Sequence, residues 1–429
     1  MSSIPNRNDL NQMAIRRQTL CLHCPPQAAG NAPEWRPQPL IQSLVNTRPD
    51  VIIVGGGISG VATAWELARH GVHTTLLEAG DLASMASGWT LAGVRQSGRH
   101  AAELPLAEAA VKRWSQLAEE LDADDIEYRQ GGNLRLALTE DDVPVIRKVV
   151  EDGRRAGIEM HFLDSNQALR ETAPALASDI PAASWCPTDG QANPGKTVLA
   201  FAEAARRAGA EIRANTPVRS LVTSGSRVTG VQLDGEVLEA GTVIVAAGIY
   251  TPALLKPLGL DIPMNVTLVP AIQTIVVEPT LAQVLGQAGG GVALRQQVSG
   301  QFRITGIASD WRHERHTHDN VQPSLAQIRE LIGAALRLIP NLEDIAVNTT
   351  WGGLIDKTPD AIPVIERTPE YDNLVIATGF SGHGFCLGPI TGEILADLAV
   401  EGVTSHPIAA FSRSRFAAGV ADDGVTLHG

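Results

Sequence analysis

Val51-Ile52-Ile53-Val54-Gly55-Gly56-Gly57-Ile58-Ser59-Gly60 decides the reading of this chain. The first four residues form a short, wholly apolar run, the signature of a parallel strand buried on both faces. Residues 58–70 then carry apolar positions at helical spacing, and Gly71 is a helix stop. Thr74-Thr75-Leu76-Leu77 reads as a second strand, which ends at Glu78. Gly55-x-Gly57-x-x-Gly60 therefore sits between a strand and a helix, where the first glycine makes the turn. The second admits a pyrophosphate close to the backbone, and the third lets helix and strand pack. Ile58 and Ser59 open the helix, whose free N–H groups and positive dipole end face the phosphates. Glu78 is placed to accept from a ribose hydroxyl, and its charge disfavours a 2′-phosphate. The unit predicts a bound dinucleotide.

Outward from this unit, the 429 residues carry 34 basic and 47 acidic side chains, a formal charge of −13. That balance argues against nucleic acid or an anionic membrane as the main partner, since each needs a basic face. With 44% hydrophobic residues the chain is globular, and no run is apolar enough to span a membrane. Four cysteines make no disulfide framework; Cys186 and Cys386 read as free thiols, and Cys21/Cys24 lack a second pair of zinc ligands. No metal is expected, and the expected location is the cytoplasm. His313, His316 and His318 stand among charges and read as a solvated turn.

Residues 1–48, rich in Asn, Gln, Pro and Arg, read as a flexible extension, either dispensable or docked on a partner subunit. Helical patterns are expected over 105–121, 142–156, 196–208, 323–337 and 388–401. Strands are expected over 133–138, 217–223, 227–233, 242–246, 266–278, 301–306 and 374–378. The last runs into a second glycine-rich turn, Gly379-Phe380-Ser381-Gly382-His383-Gly384-Phe385. A ligand long enough to meet both ends of the chain accounts for that pair of turns, which favours FAD over NAD.

Further motifs accompany these turns: Ala86-Ser87-Gly88, Asp189-Gly190-Gln191-Ala192-Asn193-Pro194, Val243-Ile244-Val245-Ala246-Ala247-Gly248, Trp351-Gly352-Gly353-Leu354 and Thr358-Pro359-Asp360. As a set, over about residues 50–405, they resemble the D-amino-acid oxidase superfamily of flavoproteins, and within it the sarcosine oxidase β-subunits and the opine- and hydroxyproline-dehydrogenase β-subunits. The resemblance implies an α/β fold: a Rossmann-like FAD-binding domain interleaved with a mixed β-sheet substrate domain. The expected division assigns 49–95, 180–255 and 345–405 to FAD, 96–179 and 256–344 to substrate, and 406–429 to a tail. It implies non-covalent FAD held by Gly55, Gly57, Ile58, Ser59, Gly60, Glu78, Ala79, Ser87, Gly88, Val218, Ala247, Gly248, Gly379, Gly382, His383, Gly384 and Phe385. The reaction implied is oxidation of a C–N bond in an amino acid or N-substituted amino acid, with hydride transfer to flavin N5 and hydrolysis of the imine.

The departures from the pattern bear on the substrate. The lysine that follows Gly-His-Gly-Phe in monomeric sarcosine oxidases is Cys386 here. Arg95 and Arg99 become the candidates to hold a carboxylate, because arginine grips one bidentately. His383 is the candidate for direct contact with substrate or flavin. Arg303 stands nearest to a lysine that activates oxygen in those oxidases, which favours a dehydrogenase. The position that carries covalent FMN in heterotetrameric relatives is about Pro194. Trp351 is either an aromatic wall of the site or sheet packing. Partner flavoprotein or iron–sulfur subunits are implied for a complex-dependent dehydrogenase. The rival readings are a stand-alone oxidase using O2 and a non-catalytic flavoprotein assembly subunit.

Overall fold

The computed structural model describes residues 48–311 and 321–418. The N-terminal extension with Cys21 and Cys24, and His313, His316 and His318, lie outside the described residues.

The first βαβ unit folds as its sequence dictates. Val51–Val54 is a fully buried strand, Ile58–Arg69 a helix and Thr74–Leu77 a second buried strand, paired parallel in register Val51 with Thr74. Six strands form this sheet, in the order Val364–Arg367, Leu374–Thr378, Thr242–Val245, Val51–Val54, Thr74–Leu77, Glu211–Arg213. All pairs are parallel except that of the edge strand Val364–Arg367. Strands far apart in sequence thus meet at its centre, since 374–378 lies one strand away from 51–54. A parallel sheet must be covered on both faces. One face is covered by Ile58–Arg69, Pro194–Arg207 and Gly384–Val400, which share one apolar core.

Helix packing here depends on small residues. A Cβ on Gly392 would lie 2.5 Å from the Cβ of Ala62 and 2.7 Å from its carbonyl carbon. Gly392→Val is therefore expected to destabilise the fold by roughly 1–3 kcal/mol or more through overpacking. Thermal unfolding followed by circular dichroism should show a lower midpoint, and an unchanged midpoint would contradict this packing.

The second, nine-stranded sheet is mixed. Its longest strands, Asn265–Val276 and Val347–Lys357, pair antiparallel, while Val284–Gln287 and Asn133–Ala137 pair parallel. Three stretches pack differently from the division expected from sequence. Ala182–Cys186 pairs with Asn133–Ala137, and Val347–Lys357 with Asn265–Val276, so both belong to the nine-stranded sheet. The helix Leu104–Trp114 buries its apolar face in the core of the six-stranded sheet, where Arg113 binds Glu66 and the carbonyl of Pro389. In the expected tail, the described residues 406–418 are anchored: Phe411 is buried and Arg415 donates to Asp360 at 2.7 Å. The final long helix starts at Gly384, four residues earlier than the periodicity suggests, which brings its first turn to the site. Among the described residues no helix is long and apolar enough to cross a membrane.

Candidate functional site

A cavity of about 770 Å³ runs from the C-terminal ends of the parallel strands to the face of the nine-stranded sheet. That size suits a cofactor together with a small ligand. One end is built by the glycine turn. Gly55 has φ +115°, and a Cβ there would lie 2.3 Å from the Ala246 carbonyl oxygen. The N-cap residue of the helix Ile58–Arg69 is Gly57, which has no side chain to cap it. Glu78 holds the turn: its Oε2 accepts from the Gly56 N–H at 2.6 Å and its Oε1 from the Gly80 N–H at 2.8 Å. Ser87 Oγ accepts from the Ile58 N–H at 3.0 Å, fastening the next loop to the helix start.

Most of the residues expected to hold the dinucleotide line this cavity. Gly55, Gly57, Ile58, Ser59, Glu78, Ala79, Ser87, Val218, Ala247, Gly248, Gly382, His383, Gly384 and Phe385 all do. Gly60, Gly88 and Gly379 stand behind the lining. A Cβ on Gly60 would fall 1.9 Å from the Gly55 oxygen, so Gly60 serves the close approach of helix to turn. The Gly379 N–H donates to buried Asp356 at 2.7 Å. Burial pushes that carboxyl up to about 6, against the pull of this N–H.

The far end is cationic. Arg95, Arg99 and Arg135 all line it, beside Asn133 and His383. Burial, then Arg99 and Arg135, push Arg95 well below its ordinary value. Burial and Arg99 push Arg135 down to about 10. Arginine nonetheless keeps its proton in proteins, so these directions express how strongly the cluster favours an anion. Arg95 donates to the carbonyls of Ser97 at 2.6 Å and Gly98 at 3.3 Å. Arg99 Nε donates to the Arg95 carbonyl at 3.1 Å, while its NH1 is buried with no partner. Asp189, fully buried, accepts from the Gln96 N–H at 2.8 Å and from the Ser97 hydroxyl.

His383 stands at the cationic end. Its Nδ1 is 2.9 Å from Glu103 Oε2, both side chains are buried, and its Nε2 has no partner. Burial pushes the imidazole down to about 4, against the pull of Glu103, with Arg99 and Arg95 adding to the push. Burial opposes the charge of Glu103, yet His383, Arg99 and Arg95 hold its carboxyl below the ordinary range.

The structure does not bring Arg303 into the cavity lining. Its NH1 donates to the Thr90 carbonyl at 2.9 Å and its NH2 to Gln273 at 3.1 Å, with the guanidinium over the Trp351 ring. Trp351 in turn donates to the Trp89 carbonyl at 3.2 Å. Both residues support the loop that lines the cavity. Cys386, in the position of the absent lysine, is buried and donates to the Arg95 carbonyl. Sequence reasoning missed Arg135 and Glu103. An arginine inside the buried strand Asn133–Ala137 was a readable signal for the first; nothing local marks the second.

Comparison with known proteins places these features in a family. The model described as FAD dependent oxidoreductase (DAO) matches residues 50–398. The glycine oxidase of Bacillus licheniformis is 30% identical over 86% of this chain and 98% of its own. The sarcosine oxidase subunit beta of an Arthrobacter species is 31% identical over 86% of this chain and 91% of its own. The crystal structure of L-proline dehydrogenase from P. horikoshii superposes with a TM-score of 0.80, at 28% identity, over 87% of this chain and 99% of that one. The glycine turn, the acid closing the second strand and the returning C-terminal strand are those of a flavin-binding chain, and this protein belongs to the DAO family of FAD dependent oxidoreductases.

Proposed function

We propose that this protein oxidises the C–N bond of a small amino acid or N-substituted amino acid, giving an imine that hydrolyses. The observation that carries this reading is the unpartnered NH1 of Arg99, buried at the cationic end of the cavity. Arg95, Arg99 and Arg135 contribute three positive charges against the two carboxylates of Asp189 and Glu103, with His383 neutral. A buried excess of one positive charge is costly unless an anion pairs with it. A single substrate carboxylate supplies that anion and fixes the amine near His383.

FAD, when bound along Gly55–Ser59, Glu78 and Val218, supplies the two-electron acceptor. The protein's own share is to hold the carboxylate, orient the nitrogen and exclude water. Glycine, sarcosine and L-proline, named for the relatives, each join a carboxylate to a primary or secondary amine one carbon away, which supports the same reading. A relative that is itself a subunit supports electron exit through partner subunits.

Anaerobic absorbance spectra test the proposal. The flavin bands should bleach with carboxylated amines and persist with the same amines amidated at the carboxylate. Bands that persist through the whole carboxylate panel would sink it. Slow recovery of colour in air would support partner subunits; recovery within seconds would point to direct use of O2.

A further inference from the structure

We infer that Glu103 locks His383 as a neutral hydrogen-bond acceptor for the substrate's N–H, which restricts the enzyme to primary and secondary amines. This inference rests on the reading of the cavity as an amine site. The argument starts from the carboxylate. An ionised Glu103 has only acceptor sites, so the nitrogen 2.9 Å from it must carry the ring proton. With the proton fixed on Nδ1, Nε2 of a neutral ring presents a lone pair. That nitrogen is buried and without a partner in a residue that lines the cavity. A buried acceptor left unpaired is costly, so the site favours a ligand that donates there.

The charged groups facing the ring are Glu103, at the start of the helix Leu104–Trp114, and Arg99 and Arg95 from the preceding loop. Together with burial they keep the imidazole neutral down to about pH 4. His383 is thus no proton reservoir at working pH. It accepts a hydrogen bond and turns the amine so that the nitrogen's lone pair stays free for the oxidation. A tertiary amine, once neutral, has no N–H to offer and leaves Nε2 unpaired. Glu103 acts only through His383 and is a positioning residue.

Glu103→Gln provides the test, because a glutamine amide can donate to Nδ1 and shift the ring proton to Nε2. Glu103→Asp keeps the acceptor and serves as rescue. Nitrogen-15 NMR of the flavin-loaded protein, with the His383 signal assigned by comparison with His383→Asn, should show Nδ1 protonated in the wild type and in Glu103→Asp. It should show Nε2 protonated in Glu103→Gln. An Nε2–H ring in the wild type overturns the inference whatever the substrate is. Anaerobic flavin bleaching is then compared for glycine, sarcosine and N,N-dimethylglycine, and for L-proline and N-methyl-L-proline. Bleaching by the tertiary amine should be slower than by its secondary parent by about 10- to 100-fold, as expected for one unpaired buried group. Equal rates for secondary and tertiary amines overturn the inference, and bleaching by none of the five overturns the amine reading while the NMR result stands on its own.

Discussion

Gly55→Ala protein is expected to purify with little or no bound flavin. Gly55 sits at φ +115°, and its missing Cβ leaves room for the Ala246 carbonyl oxygen, which a methyl would meet at 2.3 Å and its carbon at 2.8 Å. Both neighbours are backbone of the adjacent parallel strand and its following turn, so no side-chain rotation relieves the contact. The φ alone costs about 1–3 kcal/mol for an L-residue. The clash adds to this by separating the glycine turn from Ala246 and Ala247, two residues that line the same stretch of cavity. With FAD bound along Gly55–Ser59 as proposed, a shift of the turn is felt chiefly as lost affinity. FAD binding should weaken by roughly 10- to 100-fold or more. The ratio of flavin to protein absorbance after gel filtration measures it. Gly71→Ala is the matched control: it has φ +78° but nothing within 4 Å of the added methyl, so it should keep its flavin. Equal flavin content in the two variants would show that close backbone approach is not what Gly55 provides.

How far the sequence carries the site depends on which residues act through local pattern. The turn at Gly55 is legible because strand, glycines, helix and closing acid are all local. The returning turn at 379–384 is legible for the same reason. A ligand that meets both turns requires them to be close in space, and in the six-stranded sheet one strand alone separates 51–54 from 374–378. Pairing between distant strands is another matter. Val347–Lys357 opens with the exposed residues Val347, Asn348 and Thr349 and carries two glycines, so its sequence has no clean alternation; its partner Asn265–Val276 lies some 80 positions away. Alternation gives the face of a strand but not the depth along it. Arg303 shares a face with Thr305, which lines the cavity, yet its guanidinium is taken up by the Thr90 carbonyl and Gln273. Glu103 shows the limit most clearly. It is one acid among several in 103–120, and only the fold makes it the fully buried partner of a histidine 280 positions away.

Arg99→Met should remove most of the discrimination in favour of a carboxylate. Methionine keeps the long unbranched stem and discards the charge, so the side chain still fills its space. The Nε bond to the Arg95 carbonyl is lost, a modest loss of about 1 kcal/mol in stability. The larger loss falls on the substrate, whose carboxylate then faces a cluster reduced to Arg95 and Arg135 against Asp189 and Glu103. Removing one partner of a buried charged pair costs about 2–5 kcal/mol, which corresponds to roughly 30- to 5,000-fold in kcat/KM. That figure applies to the carboxylated amine alone. The same amine amidated at the carboxylate never had the ion pair, so its already low kcat/KM should be nearly unchanged. The contrast between the two substrates, measured in both proteins, isolates the interaction from any general damage. Arg95 is a poor substitute for this experiment, because its bonds to the Ser97 and Gly98 carbonyls hold the loop itself. A parallel fall for both substrates would mean that Arg99 shapes the cavity without holding the carboxylate, and would move that role to Arg135. A fall confined to the carboxylated amine, at unchanged flavin content, would fix the end of the cavity at which the substrate's charge sits, and with it the direction in which its nitrogen faces His383.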